Sequence, residues 1–149
     1  MLISFSGSIY KILNASKEDR GNYICSASNG VGKTVTVQVL VEIEFAPTMS
    51  AKRPKIAQAI GYEVELICSV EAYPPPGITW MKGTKQLESA DDYVIKTVGH
   101  ANQITVSTLK LSKVEKHHFG DYICKANNKI GTSETRIVFY GKKSYSLYY

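Results

Sequence analysis

The sequence is poor in the residues that most often carry chemistry, with three cysteines, three histidines and one tryptophan among 149 residues. It contains no glycine-rich phosphate loop, no nucleophile elbow and no isolated pair of carboxylates. The sequence therefore predicts a protein that is not an enzyme. We also expect it to bind no cofactor and to have no small-molecule substrate.

Long apolar runs are missing as well. No stretch approaches the ~20 consecutive apolar residues that a membrane helix requires. The segment 1–5 is too short for the core of a secretory signal and has no basic flank, and 142–149 lacks the apolar tail of a lipid-anchor signal. We therefore expect a chain without a signal peptide, membrane helix or anchor signal of its own, which indicates a piece of a longer protein.

The net charge of +5 is spread along the chain. The densest basic clusters are Lys52-Arg53 and Lys142-Lys143, and neither resembles the aromatic-interleaved basic stripe of a nucleic-acid-binding protein. We therefore expect no nucleic-acid partner. A solvated basic surface is favoured over a site for an anionic partner such as a glycosaminoglycan or an acidic lipid.

A period-2 pattern surrounds the Gly120-x-Tyr122-x-Cys124 motif. Over 120–126 the inward and outward positions alternate, which is typical of a half-buried strand. A tyrosine two residues before a cysteine is typical of the tyrosine corner of immunoglobulin strand F, whose hydroxyl bonds upstream backbone. We expect the hydroxyl of Tyr122 to bond the preceding E–F turn, within 114–118.

Cys68 lies in a second alternating segment, 64–70, and Trp80 follows it. Cysteine, tryptophan and Tyr-x-Cys in this order predict an all-β Greek-key sandwich of the immunoglobulin I-set type. In it, strands B and F bring Cys68 and Cys124 together beside Trp80, and a disulfide there would contribute roughly 4 kcal/mol. The alternatives are two unrelated core cysteines, or reduced thiols as in intracellular muscle-type immunoglobulin domains. Leu109 and Leu111 are predicted to face the same core.

The first part of the chain repeats this motif. Asp19-x-Gly21-x-Tyr23-x-Cys25 matches 118–124 at a constant offset of about 100 residues, the length of one immunoglobulin domain. We therefore predict that 1–44 is the C-terminal part of a truncated domain. It would contain the end of strand E at 9–13, strand F at 22–29 and strand G at 33–44, with Tyr23 as its tyrosine corner.

The domain boundaries follow from this register. Residues 45–47 are predicted to be a short linker stiffened by Pro47, 48–140 a complete domain, and 141–149 a tail. Within the complete domain, Ile104 and Val106 alternate out of phase with Leu109. We therefore expect either a bulge in strand E or a boundary different from 103–111.

Two further residues of the truncated segment are candidate sites. Cys25 is left without a partner, and a structural cysteine is favoured over a reactive nucleophile because its segment contains no histidine. Asn14 begins the Asn-Ala-Ser sequence, the one glycosylation sequon in the chain. It should lie at the surface where strand E turns toward F, either glycosylated or simply solvated.

The histidines could indicate zinc. His117 and His118 are adjacent, with His100 and Glu115 nearby, but no second ligand pair has metal-site spacing. We therefore predict no metal site. His118 occupies the place of Asp19 in the first repeat, which favours a variant of the tyrosine corner.

The sequence resembles the lachesin type of neural cell-adhesion protein and, more loosely, the IgLON group. The residues that carry this resemblance lie in four segments: 17–25 (Lys-Glu-Asp-Arg-Gly-x-Tyr-x-Cys), 29–33 (Asn-Gly-Val-Gly-Lys), 41–47 and 71–76. The resemblance covers nearly all of 9–140 and falls on the end of a second and the whole of a third immunoglobulin domain.

The resemblance implies an extracellular, cell-surface glycoprotein that binds other immunoglobulin-superfamily adhesion proteins, homophilically or heterophilically, in neural development. It implies a glycosylphosphatidylinositol anchor that this chain lacks, and recognition mainly through a first domain outside this chain. The complete domain is then expected to act as a spacer or scaffold. The alternatives are intracellular muscle-type structural domains and the ectodomain stub of a signalling receptor.

Overall fold

The computed structural model describes residues 5–142. The chain divides into two compact units, unit 1 up to Ile43 and unit 2 from Glu44 onward. Most of the predicted tail, 143–149, lies outside the described residues. Within 5–142, no helix is long and apolar enough to cross a membrane.

Strands account for nearly all of the regular structure. Unit 1 contains β1 Gly21–Ala27 and β2 Val35–Val41. Unit 2 contains β3 Phe45–Ala51, β4 Lys55–Gln58, β5 Val64–Tyr73, β6 Gly77–Lys82, β7 Lys85–Leu87, β8 Val94–Gly99, β9 Ile104–Leu111, β10 Gly120–Asn127 and β11 Thr132–Gly141. Short 3₁₀ turns occupy Lys17–Asp19, Ala101–Gln103 and Lys116–His118.

Unit 2 is a sandwich of two sheets. One sheet has the strand order β4-β11-β10-β6-β7 and the other β3-β5-β9-β8. The pairs are antiparallel except that β4 runs parallel to β11. Consecutive strands that belong to opposite sheets give the Greek-key connections of the predicted immunoglobulin fold.

The core of unit 2 follows from strict alternation. Along β5 every second residue from Val64 to Ala72 is buried, as expected for a strand with one face on the core. The opposite sheet contributes Trp80, Tyr122, Ile137 and Phe139, each at most 1% exposed. Burying such large apolar side chains stabilises a domain by roughly 1.5–3 kcal/mol each.

The predicted linker at 45–47 is wrong. Phe45 and Ala46 begin β3, in which Phe45 pairs with Tyr73 across the sheet. The register shifts between Phe45 and Thr48, so that Pro47, which cannot donate a ladder hydrogen bond, lies in a local irregularity of an edge strand. In the sequence, a proline at this position indicates a linker. In the structure, the side chain of Pro47 is buried within a strand.

Of the two alternatives for strand E, the bulge is wrong, and the boundary differs by one residue, because β9 begins at Ile104. The ladder between β5 and β9 has no register shift, and the buried positions of β9 are Thr105, Ser107, Leu109 and Leu111. Ile104 and Val106 therefore face outward. The first two residues on the core side of β9, Thr105 and Ser107, are polar. The apolar residues of this segment therefore do not mark its buried face.

Unit 1 is a β-hairpin whose β1 and β2 pair antiparallel from Gly21↔Val41 to Ala27↔Val35. Residues 9–13, predicted as the end of strand E, form no strand, because the hairpin offers them no neighbouring strand to pair with. One face of the hairpin carries Tyr23, Cys25 and the valines opposite them. Val37 and Val39 on that face are 59% and 52% exposed.

Candidate functional site

The disulfide of unit 2 links its two sheets. Cys68 on β5 and Cys124 on β10 are bonded, with their Cα atoms 6.6 Å apart. Trp80 lies directly beside Cys124 in the β6–β10 register, and all three side chains belong to one buried cluster. Leu109 and Leu111, the other core positions named from the sequence, are 0% exposed in the same cluster.

A buried polar chain crosses this core. The indole N–H of Trp80 donates to Ser107 Oγ at 2.9 Å, and Ser107 Oγ lies 3.0 Å from Thr97 Oγ1 on β8. Ser107 is 0% exposed, so its hydroxyl supplies the acceptor that a buried indole needs. Ser107 was not predicted as a core residue, although its spacing of two from Leu109 places it on the core face.

The tyrosine corner anchors strand β10 to the turn before it. Tyr122 is fully buried, and its hydroxyl donates to the carbonyl of His118 at 2.7 Å. Burial raises the pKa of Tyr122 well above its usual value, and a hydrogen bond with Tyr93 adds to this effect. Gly120, at φ +133°, adopts a left-handed conformation that side chains disfavour, which explains the glycine of the motif.

Unit 1 has the same corner with a different side chain. Tyr23 donates to the carbonyl of Asp19 at 2.7 Å. The carboxylate of Asp19 accepts from the backbone N–H and hydroxyl of Ser16, at 2.8 and 3.0 Å. This is the capping-box arrangement, in which a side chain at the third position satisfies the N-cap backbone.

In unit 2 the ring of His118 takes over the role of that carboxylate. Its Nδ1 accepts the backbone N–H of Glu115 at 2.8 Å. The ring is 1% exposed and lies edge-on to Tyr93, with 5.6 Å between centroids. The prediction that His118 is a variant of the corner therefore agrees with this geometry.

Among residues 5–142, Asp92, His117 and His118 form a group that could hold a metal ion, with one possible ligand atom from each within 4.8 Å of the others. His118 cannot act as a ligand in this arrangement. Its Nδ1 lone pair is directed at the N–H of Glu115, so a neutral ring carries its proton on Nε2. Neither nitrogen of His118 then has a lone pair for a metal ion. His100 is not part of this group.

The loop between β10 and β11 is held by Asn128. Its side-chain N–H₂ group donates to the carbonyl oxygens of Phe45 and Pro74, at 2.9 and 3.1 Å. Its Oδ1 accepts the backbone N–H groups of Ile130 and Gly131. One side chain thereby ties together three segments at this end of the sandwich.

The candidate sites of unit 1 are both exposed. Cys25 is a free thiol, and Asn14 lies at the surface with a left-handed φ of 57°, a conformation that asparagine tolerates better than most residues. Neither is positioned by a neighbouring catalytic group in the described residues.

Two surface depressions of unit 2 have volumes of about 150 and 240 Å³. Small-molecule sites usually measure roughly 300–1,000 Å³, so neither depression is large enough for a typical ligand. The smaller one is lined by Lys52, Arg53 and Glu65 together with two isoleucines, which mixes both signs of charge.

The two-sheet sandwich, its buried disulfide and its tyrosine corner define an immunoglobulin domain. The Immunoglobulin I-set domain model matches residues 47–139, and the chain belongs to this family. The predicted fold class is thereby confirmed. The family is non-enzymatic, which confirms that the protein is not an enzyme.

Among known proteins, the chain is similar to Lachesin of Drosophila melanogaster, with 43% identity over 134 residues, covering 90% of this chain and 37% of that protein. It is 41% identical to Lachesin of Schistocerca americana over 133 residues, 89% of this chain and 38% of that protein. Limbic system-associated membrane protein of Gallus gallus is 31% identical over 130 residues, with coverage of 87% and 37%. The resemblance to the lachesin and IgLON adhesion proteins is confirmed, and the chain spans somewhat more than a third of these relatives.

Solved structures agree with this assignment. A crystal structure of Dpr2 Ig1-Ig2 in complex with DIP-Theta Ig1-Ig3 matches with a TM-score of 0.83 at 27% identity, covering 88% of this chain and 44% of that chain. A titin structure, A168169, matches with a TM-score of 0.71 at 20% identity, covering 89% and 68%. At that identity the titin match shows the fold alone.

Proposed function

We propose that the chain is a non-catalytic, extracellular recognition module of a neural cell-adhesion protein, in which unit 2 serves as a spacer and scaffold. The observation that carries this proposal is the 43% identity with Lachesin, which extends over 90% of the chain. The core of unit 2 supports the scaffold role, because two sheets joined by a disulfide and packed around Trp80 form a rigid body.

An extracellular location is supported by the chemistry of two sites. The disulfide between Cys68 and Cys124 is of a kind that persists in oxidising compartments and is rare in the cytosol. The exposed sequon at Asn14 is available to the glycosylation machinery of the secretory pathway. Both features favour the adhesion protein over the muscle-type alternative.

The partners proposed for the full-length protein are other immunoglobulin-superfamily proteins, bound homophilically or heterophilically. A structural neighbour, the complex of Dpr2 Ig1-Ig2 with DIP-Theta Ig1-Ig3, supports partners of this class. Attachment of the full-length protein to the membrane through a lipid anchor is a prediction from the resemblance.

The location can be tested by directing the chain into the secretory pathway of cultured cells with an added signal peptide. The secreted protein is denatured without reduction and alkylated, and its cysteines are mapped by mass spectrometry. Cys68 and Cys124 should be protected, and enzymatic deglycosylation should reduce the mass of the parent but not of Asn14→Gln. Alkylation of both core cysteines would instead favour the intracellular alternative.

The spacer role requires a separate test. The chain is displayed on suspension cells through an added membrane anchor, and display is quantified with an epitope tag. We expect the cells to stay single, because the resemblance attributes recognition mainly to the first domain of such proteins. Aggregation that depends on unit 2 would place a recognition surface within it and would contradict the spacer role.

A further inference from the structure

The E–F corner of unit 2 depends on a side chain that can gain a proton near neutral pH. In unit 1 the equivalent residue is Asp19, whose carboxylate accepts the backbone N–H of Ser16. In unit 2 the acceptor is Nδ1 of His118, which receives the N–H of Glu115 at 2.8 Å. Histidine is the side chain whose usual pKa lies closest to physiological pH.

A second proton on His118 has no suitable place. The neutral ring already carries a proton on Nε2, which is buried and has no hydrogen-bond partner among the described residues. The added proton must occupy Nδ1, where it would point at the N–H of Glu115, and two donors cannot share a 2.8 Å separation. The imidazolium form therefore requires the corner to open.

The groups around the ring shift the pKa of His118 in opposite directions. Burial lowers the pKa of His118 most strongly, and His117 and Lys82 lower it further, while Asp92 and Glu115 raise it. The ring of Tyr93 faces the ring of His118 edge-on. The pKa of His118 is held below its usual value of 6.5, so the folded corner keeps the ring neutral.

We propose that His118 makes the E–F corner of unit 2 an acid-sensitive latch. Protonation of its ring breaks the bond to the N–H of Glu115 and displaces the His118 carbonyl that anchors the hydroxyl of Tyr122. Strand β10, which carries Cys124, then loses the Tyr122 hydrogen bond that ties its start to the preceding turn, while its ladder to β11 remains. The E–F corner therefore keeps these hydrogen bonds at neutral pH and loses them when the surroundings become acidic.

The direction of the pH effect follows from proton linkage. Because the folded state holds the pKa of His118 below 6.5, the unfolded chain binds more protons as the pH falls below that value. Stability contributed by the corner is complete above about pH 6.5 and declines below it, by up to about tenfold in the folding equilibrium constant per pH unit. The decline ends once the folded protein also binds the proton.

The test is urea unfolding of the full chain, followed by the fluorescence of Trp80. Since Trp80 is the one tryptophan in the sequence, the signal reports unit 2. Measurements run from about pH 7.5 to about 5.0, a range that spans the usual pKa of histidine and stays above those of carboxylates. The folding constant of the parent should fall below about pH 6.5, by up to about tenfold per pH unit, relative to that of His118→Asp, which restores the acceptor found in unit 1.

Two further variants keep the result decisive. His118→Asn provides a non-titrating acceptor and should behave like His118→Asp, which covers the case in which the aspartate variant does not fold. His117→Ala removes the neighbouring exposed histidine. Because His117 lowers the pKa of His118 less than burial does, this variant should keep most of the pH dependence of the parent. The proposal is overturned if the parent and a folded position-118 variant show the same dependence on pH.

An independent measurement examines the tautomer directly. Long-range ¹H–¹⁵N correlation spectra at neutral pH should show His118 protonated on Nε2 and unprotonated on Nδ1. On acidification the ring should become doubly protonated while the amide signal of Glu115 shifts. A ring protonated on Nδ1 at neutral pH would contradict the proposed hydrogen bond and with it the latch.

Discussion

The hydroxyl of Ser107 provides the sharpest test of how the core of unit 2 is held together. Ser107→Ala removes the acceptor of the Trp80 indole N–H, a bond of 2.9 Å between two residues that are at most 1% exposed. Water cannot replace the lost acceptor at a site of this burial. The substitution removes only one oxygen, so a cavity makes a small contribution to the effect.

The expected magnitude follows from the unpaired donor. Leaving a buried N–H group without a partner costs about 1–3 kcal/mol. A loss of about 2 kcal/mol would lower the midpoint of thermal unfolding by roughly 10 °C for a domain of this size. Thr97→Val is the matched control, because Thr97 is exposed and its loss leaves the Trp80–Ser107 bond intact. It should cost no more than about 1 kcal/mol.

The assay is differential scanning calorimetry of the parent, both single variants, and Ser107→Ala in a Trp80→Phe background. In that background the donor is absent, so the serine substitution should cost much less than in the parent, with a coupling of about 1 kcal/mol or more. A free energy of unfolding within about 0.5 kcal/mol of the parent for Ser107→Ala would refute the reasoning.

Three other predictions concern separate parts of the chain. Tyr122→Phe removes the 2.7 Å bond to the His118 carbonyl and should lower the free energy of unfolding by about 0.5–1.5 kcal/mol; an unchanged urea midpoint would contradict it. Asn128→Ala removes a side chain with four backbone partners. It should lower the free energy of unfolding by about 2 kcal/mol or more, measured by the same urea unfolding. An unchanged free energy would mean that the loop keeps its conformation without this side chain. Limited proteolysis should remove 1–43 quickly and leave a stable core that begins near Phe45, because the apolar face of the hairpin is exposed; equal resistance of both units would show that unit 1 has a packing partner.

The parts of the fold that depend on local alternation could be predicted from the sequence. Strands β5 and β10 have one buried face each, so their side chains alternate in the sequence as they do in the structure. The pairing of Cys68 with Cys124 and the position of Trp80 then follow from the immunoglobulin pattern. The corner bonds of Tyr23 and Tyr122 lie within short segments, and sequence spacing is sufficient to locate them.

The parts that depend on distant partners could not be predicted. Strand β3 begins at Phe45 because β5 lies beside it, and nothing within 45–47 indicates that neighbour. The core face of β9 includes Ser107 because Trp80 needs an acceptor there, and hydrophobicity alone cannot identify a buried serine. Residues 9–13 have the composition of a strand, but a strand also needs a partner.

The parallel pairing of β4 with β11 gives unit 2 a particular response to mechanical tension. A pull along the chain enters through β3 and β4 and leaves through β11. Because β4 and β11 run in the same direction, such a pull slides one strand along the other. The backbone bonds from Val138 N to Pro54 O at 2.8 Å and from Lys142 N to Gln58 O at 3.0 Å are then loaded together, not one after another.

The disulfide limits how far the same pull could extend the domain. Cys68 and Cys124 are 56 residues apart in the sequence, and while their bond is intact the chain between them cannot be drawn out. Single-molecule stretching should therefore show a longer unfolding step after reduction, by about 3.3–3.6 Å for each residue released. Under load, a domain with this bond would in this way yield only part of its length.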